Sequence, residues 1–269
     1  MSDETLFAVQ GDTFIPTALA GSPWHPAMLH GGAPAGLLAY CLEREARLEG
    51  WQPAKLAIDL LRPVPKAPLG VSVSTRRKGN RIVHLEASLF SHDTVIAVAN
   101  CLFIKPQELS LPAFAPRSNI EITPPDDLEA VSFRDILFGS GGSMPPGLHT
   151  TIQLRPVTAL CGQGRGTAWI ALPVAIIEGQ PNSPFMLAAL ASDFGNGVGQ
   201  LRLGGNLGTI NADIVLQLSR LPEGEWVGID STALLDATGV GQVLTTLYDT
   251  RDRIGQVSQT IMPMGEPGV

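Results

Sequence analysis

Two stretches of the chain show the same alternation of apolar and polar positions. Leu56, Ile58 and Leu60 alternate with Ala57 and Asp59; Ile214, Leu216 and Leu218 alternate with Val215 and Gln217. A period of two places one set of side chains on a single buried face of a strand. Each strand runs into a proline-bearing turn, Pro63-Val64-Pro65 in the first case and Leu221-Pro222-Glu223-Gly224 in the second. A second strand follows over 69–75 or 226–233, then a bend around Lys78-Gly79-Asn80 or 236–239. A hairpin about Ser91-His92-Asp93 or 249–252 completes each set. Four successive strands joined by short turns predict an antiparallel meander.

A helical pattern precedes each meander. Over 32–49, Leu37, Leu38, Cys41, Leu42 and Ala46 recur at helical spacing. Over 184–194, Ser183 is a natural N-cap and Pro184 a natural first helical residue, and Gly195 is expected to end the helix. An earlier strand is expected before each helix, over 13–19 in the first case and over 150–157 with 167–172 in the second. The repeated unit is therefore strand, helix, then four strands.

Residues 56–104 superpose on 214–262 at an offset of 158 without a gap. Only Leu60/Leu218, Arg62/Arg220, Gly70/Gly228, Leu89/Leu247 and Ile96/Ile254 are identical, so the matching element types carry the repeat. The chain divides into a first unit at 1–104, a proline-rich and mostly irregular connector at 105–147, and a second unit at 148–269. The connector is expected to hold a short strand or helix near 130–138. A twisted sheet with one apolar helix must bury that helix, which wrapping the sheet around it achieves. The remaining strand edges must be paired or covered, and two units joined edge to edge would give one continuous sheet. The fold class is α+β, with two tandem units of this kind.

Composition narrows the function classes. The 269 residues are 44% hydrophobic and 16% charged, as in a globular chain with a substantial core. The net charge of −7 and the lack of a Lys/Arg run argue against nucleic acid or an anionic membrane surface as the main partner. Cys41, Cys101 and Cys161 form no metal-ligand spacing and no disulfide framework, which suits a reducing cytosol. The start, MSDETLFAVQ, lacks the basic and apolar regions of a signal peptide. No apolar run approaches the ~20 residues that span a bilayer. These features predict a soluble, cytoplasmic protein without membrane insertion. Exposed sheet edges leave homo-oligomerisation open.

Several short segments carry a resemblance. His30-Gly31-Gly32 followed by Ala33-Pro34-Ala35-Gly36-Leu37-Leu38 resembles the helix start of acyl-CoA thioesterase-like proteins of the double-hotdog, thioesterase II-like type. Leu190-Ala191-Ser192-Asp193-Phe194 resembles that family's helix with a catalytic aspartate. Thr209-Ile210-Asn211 resembles its Thr/Ser-bearing strand, and Ser258-Gln259-Thr260 its glutamine-bearing strand. The element order agrees over most of the chain. The resemblance implies a double hotdog and acyl-CoA as substrate; nothing in the sequence supports a cofactor or metal site. The resemblance also implies a water held by Asp193, Thr209 and Gln259. The sequence departs from the family in two places. Gln259 is followed by Thr260-Ile261 where the family often has Glu-Gly, and Asn211 stands where relatives often have Asp. Counting from the far end of the strand would put Ser258 at the glutamine's place.

Hydrolysis of a thioester needs a positioned water, a group to polarise it, and donors for the developing oxyanion. Asp193 is either that group or a capping carboxylate. Burial would raise its pKa toward neutrality. A negative charge at the C-terminal end of its own helix would be disfavoured by the macrodipole. Thr209 is either a water ligand or an ordinary strand residue. Gln259, on an apolar face with Val257 and Ile261, needs a partner. Gly31 and Gly32 either offer N–H groups to a substrate oxygen or form a tight turn, and His30 either meets substrate or lines the turn. At the offset of 158, Asp193 faces Ala35, Thr209 faces Trp51 and Gln259 faces Cys101, so one centre per chain is expected, in the second unit. The alternative is a hotdog protein that binds acyl-CoA without turnover. A hotdog hydratase would need an Asp-x-x-x-x-His motif, which has no convincing copy. A Ser-His-Asp hydrolase would need Gly-x-Ser-x-Gly, which is absent. Gly139–Ser143 reads as a flexible loop.

Overall fold

The computed structural model describes residues 4–115, 122–133, 136, 145–204 and 208–264. In the first unit a hairpin, β1 (Thr5–Gln10) and β2 (Thr13–Pro16), leads to helix α1 (Gly32–Ala46) and strands β3 (Gln52–Leu60), β4 (Gly70–Lys78), β5 (Ile82–Ser91) and β6 (Thr94–Ile104). The second unit opens with a helical turn, α2 (Leu148–Thr151), and strands β7 (Gln153–Pro156), β8 (Arg165–Ala171) and β9 (Ala175–Ile177). Helix α3 (Pro184–Ala191), a 3-10 turn (Ser192–Phe194) and α4 (Gly195–Val198) come next. Strands β10 (Thr209–Asn211), β11 (Asp213–Leu218), β12 (Val227–Leu235), β13 (Gly241–Tyr248) and β14 (Arg253–Pro263) close the chain.

The two meanders join into one sheet in the order β4-β5-β6-β3-β11-β14-β13-β12-β8-β7, with β10 beside β14. The seam is the antiparallel pair β3–β11, the edge-to-edge union that the exposed strand edges demand. Its register is informative. Leu56 pairs with Leu216, Ala57 with Val215 and Ile58 with Ile214. Ala57 and Val215 are 158 residues apart, so each sits opposite its own counterpart and a local two-fold axis passes between them. The offset also holds on the next strands, where Leu85 pairs with Cys101 as Val243 pairs with Gln259.

It does not hold for the helices. Gly32 and Pro184 open α1 and α3 only 152 residues apart, because the second unit spends extra residues on a 3-10 turn and α4 before its strand. Ala35 is therefore not the counterpart of Asp193. Both helices are apolar and lie inside the sheet, with Leu37, Leu38 and Leu42 of α1 and Phe185 and Leu190 of α3 fully buried. They run antiparallel: Gly32 lies against the Leu190 carbonyl, while Glu43 accepts a hydrogen bond from the Ser183 hydroxyl.

Other expectations need correction. Helix α1 stops at Ala46, where Arg47 takes a left-handed conformation (φ 46°), three residues short of 49. The strand expected over 13–19 ends at Pro16, since Thr17 caps a 3-10 turn by accepting a bond from Leu19 N–H. The strand expected from 150 starts at Gln153, because Thr150 and Thr151 close the helical turn α2 with bonds to the Gly147 carbonyl. Gly195 does not end a helix; it has right-handed angles (φ −52°, ψ −47°) and opens α4. Strands β1 and β9, unread in the sequence, pair in parallel, so the N-terminal hairpin reaches across to the second unit. In the connector, Val131 donates to the Leu154 carbonyl on β7. Part of 130–138 and the whole of 139–143 lie outside the described residues. Among the described residues, no helix is long and apolar enough to cross a membrane.

Candidate active site

Asp193 occupies the 3-10 turn between α3 and α4, with 7% of its surface exposed. Its Oδ2 lies 2.8 Å from His30 Nδ1, just ahead of α1. Its Oδ1 accepts a 2.9 Å hydrogen bond from Asn211 Nδ2 on β10. The Gly32 N–H also points toward the carboxylate. Gly32 N lies 3.2 Å from His30 Nδ1 as well. A ring nitrogen that donates to a carboxylate cannot accept there too, so the Gly32 bond belongs to Asp193.

The two glycines after His30 now have a physical reason. A Cβ on Gly31 would stand 2.7 Å from Asp193 Oδ1, and one on Gly32 would stand 2.8 Å from the Leu190 carbonyl oxygen. The end of α3 and the carboxylate thus press directly on the start of α1. The His30 ring is fixed by stacking on Phe194, with centroids 4.5 Å apart. Its backbone N–H donates to the Ala20 carbonyl.

Burial pushes the Asp193 carboxyl up, but the adjacent His30 and the hydrogen bonds from His30, Asn211 and Gly32 outweigh it. They hold the group below the usual carboxylate range. The expected rise toward neutrality does not occur. Nor is the charge stranded at the end of its own helix. It faces the N-terminus of the 15-residue α1, where a helix dipole favours an anion.

Thr209 is buried, and its hydroxyl donates to Asn196 Oδ1 at 2.8 Å; Asn196 Nδ2 donates to the Thr209 carbonyl at 2.9 Å. Gln259 is 1% exposed and lies on the inner face of β14 with Val257 and Ile261. Ser258 lies on the opposite, exposed face, so the pleat of the strand directs Gln259 inward. Neither Gln259 Oε1 nor Nε2 has a hydrogen-bond partner, and Asn211 Oδ1 has none. Asp193 itself makes no hydrogen bond to Thr209 or Gln259 among the described residues. The link runs through its chain neighbours. Asn196 binds Thr209, and a Cβ on Gly195 would stand 2.8 Å from Gln259 Oε1.

Sequence reasoning missed two residues near the cluster. Asn211 was visible only as a departure from a family pattern, yet it binds the carboxylate directly. His149, on α2, is 3% exposed with both ring nitrogens unpaired. Burial, then the proximity of His30, pulls its pKa down to about 4, although the Pro145 and Gly21 carbonyls lie near enough to oppose that drop. Neither carbonyl is a true hydrogen-bond partner, since both nitrogens remain unpaired. Its position between two units could not be read from a lone His-Thr-Thr segment. Among the described residues no three His, Cys, Asp or Glu side chains are placed to hold a metal.

The arrangement joins an ionised, buried carboxylate to an imidazole whose Nδ1 proton it holds. A buried amide with free donor and acceptor stands on the adjoining strand. Such a set can orient a water and take its proton.

Comparison with known proteins bears on the same residues. A family model described as the acyl-CoA thioesterase N-terminal domain matches residues 20–104, and its C-terminal companion matches 125–262. Together they span most of the chain and all of the residues around Asp193. No curated protein sequence matches the chain. Among solved structures, a conserved protein of unknown function with hot dog fold from Alicyclobacillus acidocaldarius is similar, with a TM-score of 0.71 at 15% identity. That match covers 98% of this chain and 97% of the other. The acyl-CoA thioesterase II TesB2 from Mycobacterium marinum is similar with a TM-score of 0.65 at 16% identity, over 97% of this chain and 96% of the other. At these identities the structures speak for the fold, a double hotdog.

Proposed function

The chain belongs to the acyl-CoA thioesterase family, and from that premise we propose that it hydrolyses acyl-CoA to free acid and CoA at the cluster around Asp193. The observation that carries this reading is the buried Asp193–His30 pair beside a fully buried amide, Gln259, that has no protein partner. In the proposed reaction Asp193 holds the water through the His30 ring that it orients, and Thr209 and Gln259 hold it directly. The Thr209 hydroxyl hydrogen is committed to Asn196, so its oxygen serves as an acceptor. Gln259 offers one donor and one acceptor.

Asp193 keeps a proton on His30 Nδ1, which leaves the Nε2 lone pair available as base. As the water oxygen bonds to the thioester carbon, its proton passes to that pair. The oxyanion is met by nearby N–H donors, with Gln259 Nε2 the candidate on β14. Collapse breaks the C–S bond, and the imidazolium returns the proton to the leaving thiolate. The lowered pKa of Asp193 suits this division of labour: the carboxylate stays ionised, and it orients the imidazole and stabilises the charge that develops there.

The test is thiol release measured over a panel of acyl-CoA chain lengths with wild type and Asp193→Ala. Loss of the carboxylate that orients the base is expected to lower turnover by about 10²–10⁴-fold. Full turnover in the variant would sink the site assignment. Binding of acyl-CoA with no thiol released by wild type would make the chain a holding protein.

A further inference from the structure

One hydrogen of the cluster is fixed by a residue outside the proposed reaction, Asn196. This side chain is buried on α4, three residues after Asp193. The broken helix turns both groups toward β10, where Asp193 meets Asn211 and Asn196 meets Thr209. The Asn196 amide engages Thr209 at two points. The Thr209 carbonyl can only accept, so the amide nitrogen must face it, at 2.9 Å. The amide oxygen is then left for the hydroxyl, at 2.8 Å. That oxygen can only accept, so the hydroxyl must donate. The direction of the hydroxyl hydrogen therefore follows from donor and acceptor chemistry alone.

Anchoring β10 does not require Asn196. The three residues of the strand pair with Pro263, Met262 and Ile261 of β14. Ala212, just beyond it, donates to the Thr260 carbonyl, and Asn211 binds Asp193. What Asn196 adds, besides a donor for one buried carbonyl, is control of the hydroxyl.

Resting on the thioesterase reading, we propose that Asn196 is a positioning residue that acts through Thr209 to orient the attacking water. With its hydrogen turned to Asn196, Thr209 Oγ1 shows the site only lone pairs, and the water must donate to it. The water's other hydrogen goes to His30, the base. Both hydrogens are then spent, so Gln259 can meet the same oxygen only with an N–H. The lone pair that is left is free to face the thioester carbon. A Thr209 hydroxyl released from Asn196 would offer its own hydrogen to the water, occupy a lone pair and leave a water hydrogen unheld.

The experiment is a double-mutant cycle on thiol release. Wild type, Asn196→Leu, Thr209→Val and the double variant are assayed for kcat and KM separately, each normalised to folded protein. Asn196→Leu is expected to lower kcat about 10²-fold and to move KM little, because the water loses its orientation and the substrate keeps its contacts. On the Thr209→Val background no hydroxyl remains to be oriented, so adding Asn196→Leu should lower kcat by less than about threefold. Position 209 keeps its backbone carbonyl there, so a mere anchoring role would survive on that background. Losses that multiply would therefore overturn the proposal, as would an Asn196→Leu variant with wild-type kcat or a change in KM alone. Solution NMR covers a variant that fails to fold and separates this idea from the thioesterase reading. The expected signal is a slowly exchanging Thr209 hydroxyl proton in wild type, close to the Asn196 side-chain amide and missing from Thr209→Val. Its absence from wild type rejects the proposal even if hydrolysis is confirmed. Wild type without thiol release would reject the thioesterase reading, and the same signal would still decide whether Asn196 fixes Thr209.

Discussion

A buried amide without a partner costs about 1–3 kcal/mol relative to a satisfied one. Gln259 stands in that position on β14, while its counterpart Cys101 fills the matching place on β6 with a small side chain, also fully buried. The fold therefore does not need an amide there. Gln259→Leu is expected to hold or raise Tm in thermal denaturation while thiol release falls by about 10²-fold or more. A variant that lost stability and kept turnover would assign Gln259 to the core. His149 carries a pH signature. Its folded pKa is depressed to about 4 from an ordinary value near 6.5, so between those limits the unfolded chain binds a proton that the folded chain does not. Stability then rises with pH through that window, by up to about 1.4 kcal/mol per unit from this one group. Denaturation of His149→Leu at pH 4.5 and 6.5 should show a smaller difference than wild type. The carboxylate of Asp193 acts elsewhere. Its pKa is depressed too, so its contribution is present above the ordinary Asp value and lost only as pH falls through the lower folded one. At this scale the sequence marked Asp193, His30 and Gln259 as chemistry-bearing residues. It missed Asn211 as a carboxylate ligand and got the direction of the Asp193 shift wrong, because both depend on groups brought from other elements.

Among the elements, the broken helix from Pro184 to Val198 is the one that assembles the cluster. Gly195 was expected to end it. Its backbone is right-handed, and what the site uses is its lack of a side chain. A Cβ there would stand 2.3 Å from Thr245 Oγ1 and 2.8 Å from Gln259 Oε1. Thr245 is itself bound to Ser231 at 2.8 Å, so the strand side gives little. Gly195→Ala is expected to cost about 1–3 kcal/mol through overpacking, read from denaturant midpoints, and to lower turnover more than its stability loss explains, since Asp193 is two residues away. An alanine variant with wild-type midpoint and wild-type kcat would show that the contact relaxes. Periodicity served best where buried and exposed positions alternate, as along β5 and most of β14. The short pieces β9 and α2 escaped because each is too brief to display a period, and β1 because its buried residues are consecutive and do not alternate; each is held by a distant segment.

The two units are related by the axis through Ala57 and Val215, and the antiparallel helices repeat that relation inside the sheet. Each helix N-terminus meets a carboxylate from the far end of the other: Asp193 at the start of α1, and Glu43 at Ser183, the cap of α3. The offset of 158 was legible from the strands, but it matched Asp193 with Ala35 because the extra helical turns of the second unit leave no mark on the strand pattern. The geometry instead makes Glu43 the group in the corresponding role, and its surroundings differ. Burial raises the Glu43 carboxyl and the Ser183 hydroxyl only partly offsets this. The nearby strand residue is Cys101, whose thiol burial pushes far up, where the other half has an amide. No histidine pairs with Glu43 among its described contacts. One half thus keeps an ionised carboxylate–imidazole pair with an amide; the other keeps a helix-capping acid. Glu43→Gln retains a group able to accept the Ser183 bond, and it is expected to keep turnover within about twofold and stability within about 1 kcal/mol of wild type. Asp193→Asn, equally isosteric, should lose about 10²-fold or more in kcat. Thiol release by the two variants, normalised to folded protein, decides whether the duplication left one working centre or two. Comparable losses in kcat from both would mean that chemistry survives in each half.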